Sequence, residues 1–268
     1  MHTSTLKIDA SIYDHSFCEV ELYENKYSPE YCNAITALFI SYIGYFGIRT
    51  TIQPTNSNIF GLYFSLIING ISSCFYHITH TIGWGLLDRF SMILIALYCF
   101  QIFVSVFQYL KISSNICRVL HSMSILYIVV LATVCGLHQE ELFNTLFGGF
   151  LFSIVLFLLI VHRRIMIPRR IMECAIKGIL LLSISGLSWI VTETNCTKYS
   201  IIPYLFGHSI WHISVAIGGY YISLLPVYIL CCDLCYGKID IQTDTYLPQF
   251  IDIHPGSEFR ITTFYIKN

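Results

Sequence analysis

The sequence predicts an all-α fold: one bundle of seven transmembrane helices, with its N-terminus lumenal or extracellular and its C-terminus cytosolic. Three observations carry that prediction. Of 268 residues, 55% are hydrophobic and only 12% charged, against about 25% charged in a soluble domain, and the mean hydropathy is +0.66. Apolar windows of about 20 residues, the length that spans a hydrocarbon core, recur along the chain. Positive charge gathers in alternate loops between them, which orients the spans. A net charge of −1 excludes the basic face that a nucleic-acid partner requires.

Residues 1–30 form a polar, acidic segment. No apolar run precedes Tyr31, so no cleavable signal peptide is expected and insertion falls to the first span. The spans are expected at about 31–49, 57–79, 86–108, 117–137, 143–162, 171–192 and 205–230. The fourth is the weakest, because His121, Ser122 and Ser124 dilute its start. With no internal repeat, residues 31–236 make one membrane domain, and 237–268 a cytosolic tail. Arg49 lies in the first loop, Lys111 and Arg118 flank the third, and Arg163, Arg164, Arg169 and Arg170 fill the fifth. The fourth loop instead carries Glu140 and Glu141, and the sixth carries Glu193. The odd loops are therefore cytosolic.

Eleven cysteines show no zinc-finger spacing. Cys74, Cys99, Cys135 and Cys174 sit in apolar runs and read as small buried hydrophobes. Cys231, Cys232 and Cys235 read as the end of the last helix. Cys18 and Cys196 lie in polar segments on the lumenal side, where disulfides persist. A bridge between them would staple the N-terminal segment to the loop that leads into the last span.

The polar residues inside the spans form a layer. His208 and His212 are four apart at the head of the seventh span, so both imidazoles share a face. His77 ends the second span and Asp88 opens the third, at the same side of the membrane by the charge pattern. Intramembrane histidines are costly unless paired. Three of them would give a three-histidine site with an open fourth position, the catalytic pattern for zinc. Asp88 would then orient or deprotonate a water, and Ser73, four residues before His77, would donate to an oxyanion. The bland alternatives are interhelical hydrogen bonds for the histidines and an Arg89 partner for Asp88. His80, three residues past His77, reads either as an alternative or outer partner of the histidines or, at that distance, as interfacial. Ahead of the first span, Glu19, Glu21, Glu24 and Glu30 crowd a short segment. Their hard oxygens suit calcium but lack the EF-hand pattern, and a solvated acidic face is the other reading.

These residues carry a resemblance. Ser73-Cys-Phe-Tyr-His77, Leu86-Leu-Asp88 and Phe206-Gly-His-Ser-Ile-Trp-His212 resemble the three signature blocks of the alkaline ceramidases. That family belongs to a superfamily of seven-span metal hydrolases that includes the adiponectin receptors. Phe17-Cys-Glu19 and Glu30-Tyr-Cys-Asn33 look like its N-terminal calcium motif. The resemblance implies hydrolysis of ceramide, a membrane lipid substrate, to sphingosine and a fatty acid in the endoplasmic reticulum or Golgi. By position it implies zinc on His77, His208 and His212, with Asp88 activating water and Ser73 steadying the oxyanion. It implies calcium on Ser16, the Phe17 carbonyl, Glu19, Glu21 and Glu30, and a Cys18–Cys196 disulfide. The chain departs from the pattern where Ser16 replaces an Asp, Phe17 a Trp and Glu21 an Asn; Ser16 is a poorer calcium ligand, while Glu21 restores the charge.

Two other classes compete. A seven-span receptor of the adiponectin or progestin type would use zinc structurally, but the adiponectin receptors have the reverse orientation to that expected here. A transporter would need polar residues at several depths, whereas these gather in one layer.

Overall fold

The computed structural model describes residues 17–23, 28–50, 57–197, 200–232, 239–242 and 249–252. Among these, seven helices are long and apolar enough to cross a membrane: α1 Tyr31–Thr50, α2 Ser57–Thr79, α3 Ile82–Tyr109, α4 Ser114–Gly136, α5 Glu140–Arg164, α6 Arg169–Thr194 and α7 Gly207–Cys232. The protein is an integral, multi-pass membrane protein. Short 3-10 turns precede α1, at Cys18–Leu22, and α7, at Ile202–Leu205. Two short antiparallel strands, Ile239–Gln242 and Gln249–Asp252, follow α7.

The helices start and stop close to the expected positions, with one difference. α3 begins at Ile82 rather than 86, because the break after α2 is confined to two residues, left-handed His80 at φ 50° and extended Thr81. Left-handed residues also follow α3 at Lys111 and α4 at His138, where a turn must reverse the chain within a few residues.

α1 sits between α2 and α7; α3 packs on α2, and α6 on α7. Small residues allow these approaches, since lipid supplies no hydrophobic drive between helices. A Cβ added at Gly70 would lie 2.6 Å from the Ala37 carbonyl oxygen of α1. One added at Gly178 would lie 2.6 Å from the Gly218 carbonyl oxygen, where α6 meets α7. The interior is apolar, with Ile43, Ala96, Leu131, Leu225 and Ile229 completely or almost completely enclosed. Leu126, Phe152, Ile184 and Leu187 face outward, as lipid-facing positions should.

Seven alternating helices bring the ends of α2, α4 and α6 and the starts of α1, α3, α5 and α7 to one face of the bundle. The arginine-rich loops lie at the other.

Candidate functional site

α2 and α7 place His77, His208 and His212 together at that first face. One ligand atom from each lies within 4.8 Å of the other two. All three side chains are buried. The Nε2 atoms of His208 and His212 are 3.1 Å apart, as the four-residue spacing on one helix face requires.

Outer partners fix the rings. His77 Nδ1 donates to Glu30 Oε2 at 2.7 Å, and His212 Nδ1 donates to the Asn33 carbonyl at 3.1 Å. Both rings therefore keep an Nε2 lone pair for the centre. His208 Nδ1 receives the indole N–H of Trp189 at 3.1 Å. An indole can only donate, so the His208 proton sits on Nε2, toward His212. The Glu193 carboxylate lies 3.8 Å from the same Nδ1, beyond hydrogen-bond distance; His208 would offer Nε2 to a cation only with its proton moved to Nδ1, where the Trp189 N–H must give way. Three converging imidazoles, two of them with Nε2 lone pairs already turned inward, fit a zinc ion.

Beside the histidines, Asp88 and Ser73 border a cavity. Ser73 hydrogen-bonds the Asp88 carboxylate, and Asn69 donates to Asp88 Oδ1 at 2.9 Å and to Ser91 at 2.9 Å. Arg89 reaches Glu140 on α5 at 2.8 Å. The cavity holds about 320 Å³ and runs from this polar layer into the apolar interior, within the size range of small-molecule sites.

The N-terminal segment covers the site. Cys18 and Cys196 form a disulfide, the pairing the resemblance implies. The Phe17 ring lies 4.0 Å from that of His208 and 5.1 Å from that of His77, centre to centre. The Cys18 amide donates to Glu193 at 2.9 Å. Glu19 is buried and accepts the Cys32 and Asn33 amides at 2.8 Å each, satisfying donors at the head of α1 that have no intrahelical partner.

Glu30 is fully buried and accepts the Phe17 amide at 2.6 Å and the Asn33 side chain at 3.0 Å. Burial alone would push its carboxyl up, but hydrogen bonds from His77, His80 and Asn33 hold it well below the usual range. Glu21 is partly exposed. Ser16 and Glu24 lie outside the described residues. Among the described residues, the acidic set does not bring three ligand atoms to one point as the histidines do.

His80 differs from the interfacial reading. It is buried and 3.1 Å from Glu30, because its left-handed backbone turns the side chain back under the N-terminal segment. Sequence reasoning also missed Asn69, Trp189 and Glu193, and it placed Asn33 only within the calcium motif. Asn69 had a signal, since it precedes Ser73 by four residues and His77 by eight on one helical face. Glu193 acts across elements and had none.

A model of the Ceramidase family matches residues 11–249. The chain belongs to the ceramidase family. It is an enzyme, a ceramide amidohydrolase. It is also similar to a Dictyostelium discoideum protein named "Putative alkaline ceramidase dcd3B", 25% identical over 235 residues, covering 76% of this chain and 82% of that one. The family match spans the disulfide, all seven helices and every candidate site residue.

Proposed function

We propose that this ceramidase cleaves the ceramide amide to sphingosine and a fatty acid with zinc held by His77, His208 and His212. The observation that carries the reading is the convergence of three inward-facing imidazoles beside Asp88, at the head of an apolar cavity. Bound there, zinc supplies Lewis acidity, which polarises a carbonyl and makes water acidic near neutral pH.

The chain's own residues do the rest. Asp88, oriented by Asn69 and Ser73, takes the proton of the attacking water and returns it to the leaving nitrogen, so one water is consumed and no net proton is released by this step. The Ser73 hydroxyl turns from Asp88 to donate to the carbonyl oxygen as negative charge develops on it. Phe17 and the disulfide-tethered segment cover the site, which strengthens these contacts by lowering the local dielectric.

Glu19, Glu21, Glu30 and the Phe17 carbonyl offer hard oxygens for calcium, with Ser16 adjoining. Glu19 and Glu30 already accept protein donors, so no catalytic step is assigned to that ion. The charge pattern supports a lumenal or extracellular site face, and membership of the ceramidase family favours the endoplasmic reticulum or Golgi.

Metal analysis of the purified protein, paired with ceramide hydrolysis before and after chelation, tests the reading. About one zinc per chain is expected, with turnover lost on chelation and restored by zinc. Turnover that survives both chelation and His208→Ala would overturn it.

A further inference from the structure

The cavity has an end. Its deepest lining residues, Phe103 on α3, Ile154 on α5 and Pro226 on α7, lie about fourteen residues beyond Asp88, Glu140 and His212 in their own helices. At 1.5 Å of rise per residue that is roughly 21 Å below the polar layer. Below it aromatic and aliphatic side chains pack closely. Phe103 stacks on Phe157 with ring centres 4.0 Å apart, and Phe107 packs on the same ring at 5.5 Å. Ile59, Val106 and Ile229 fill the remaining space with almost no exposure.

Midway down, two adjacent glycines of α7 have opposite surroundings. A Cβ added at Gly218 would sit 2.9 Å from the Gly178 carbonyl oxygen, so that glycine serves helix packing. A Cβ added at Gly219 meets nothing within 4 Å, and Gly219 borders the cavity. It lies roughly 10 Å past His212 along the helix. A mid-helix glycine costs about 1 kcal/mol relative to alanine, and helix packing does not explain this one.

We propose that Gly219 and the Phe103–Phe157 floor set which N-acyl chains the enzyme accepts. The glycine keeps the shaft open past its midpoint, and the stacked rings stop it. This rests on the ceramidase reading of the polar layer. With the amide carbonyl at the histidines, the hydroxyls of the sphingoid base match the polar groups beside Asp88. The acyl tail, hydrocarbon beyond its carbonyl, matches the shaft. The polar atoms at depth do not disturb that match, because Tyr63 and Ser223 satisfy each other at 2.8 Å.

The test compares ceramides that share a sphingosine base and carry hexanoyl, palmitoyl or lignoceroyl chains. The wild type should favour palmitoyl. In Gly219→Leu the palmitoyl-to-hexanoyl ratio of kcat/KM should fall at least about tenfold, the equivalent of two methylenes denied burial. Gly219→Ala, which folds more easily, should shift it the same way but less. Phe103→Leu, at the floor, should raise the lignoceroyl-to-palmitoyl ratio.

A palmitoyl ceramide with a diazirine at the chain terminus reports tail position without turnover. It should label peptides containing Phe103 or Pro226 in the wild type, and move toward Val215 in Gly219→Leu. Unchanged ratios in both Gly219 variants, or labelling outside the shaft, would overturn the proposal. A wild type that cleaves none of the three ceramides yet labels at Phe103 would overturn the ceramidase reading and leave the shaft standing.

Discussion

At the scale of single residues, the site depends on which atom of each ring is kept free. Glu30 holds His77 by one nitrogen and the Asn33 carbonyl holds His212, leaving the other nitrogen of each for a cation. Outer partners of this kind are worth about 10–100-fold in metal affinity. Glu30→Gln should therefore weaken zinc binding by that factor, read by competition with a chromogenic chelator. Unchanged affinity would reduce Glu30 to a lid contact. Asp88→Asn keeps the Asn69 and Ser73 neighbours but cannot take a proton. It should retain zinc and lose at least about a hundredfold in turnover. Activity near wild type would leave Asp88 a packing role.

At the scale of elements, the N-terminal segment is a lid fixed by covalent and hydrogen-bonded contacts. The disulfide closes a loop of sequence separation 178. In a membrane the unfolded reference keeps much of its helix, so the stabilisation should fall near 2 kcal/mol, the low end for disulfides. Cys18→Ser should lower the melting temperature and change non-reducing mobility; neither change would mean the bridge does not form. Helix contacts depend on small residues instead. Gly218→Leu should split α6 from α7 and abolish monodisperse protein, whereas Gly219→Leu, one residue on, should fold. Equal tolerance at both positions would contradict the packing described for Gly178 and Gly218.

For the whole molecule, topology gathers every candidate catalytic group at one face and every arginine-rich loop at the other. In sealed microsomes, an N-terminal tag should be protected from protease while a C-terminal tag is cleaved. The reverse pattern would place the site on the cytosolic side. Within that frame the helix number, the near-final limits of each span and the polar layer were all legible in the chain. Hydropathy has a period and a length that the bilayer imposes on local sequence. The His208/His212 pair was legible for a similar reason, since four residues is one helical turn.

Groups that meet across elements were not legible. Nothing near His80 in sequence announces its burial against Glu30, and nothing near Glu193 points to Cys18 or His208. Their positions follow from how α1, α2, α6 and α7 cross. The same holds for the shaft: Gly218 and Gly219 are indistinguishable as neighbours in a string, and a rotation of about 100° around the helix axis decides which one meets α6 and which one opens on the cavity. Local sequence determined the seven spans and the candidate ligands, because both follow from periodicity along one chain segment. Only the tertiary structure decided the outer partners of the histidines, the lid and the depth of the cavity, because each is a distance between segments far apart in sequence.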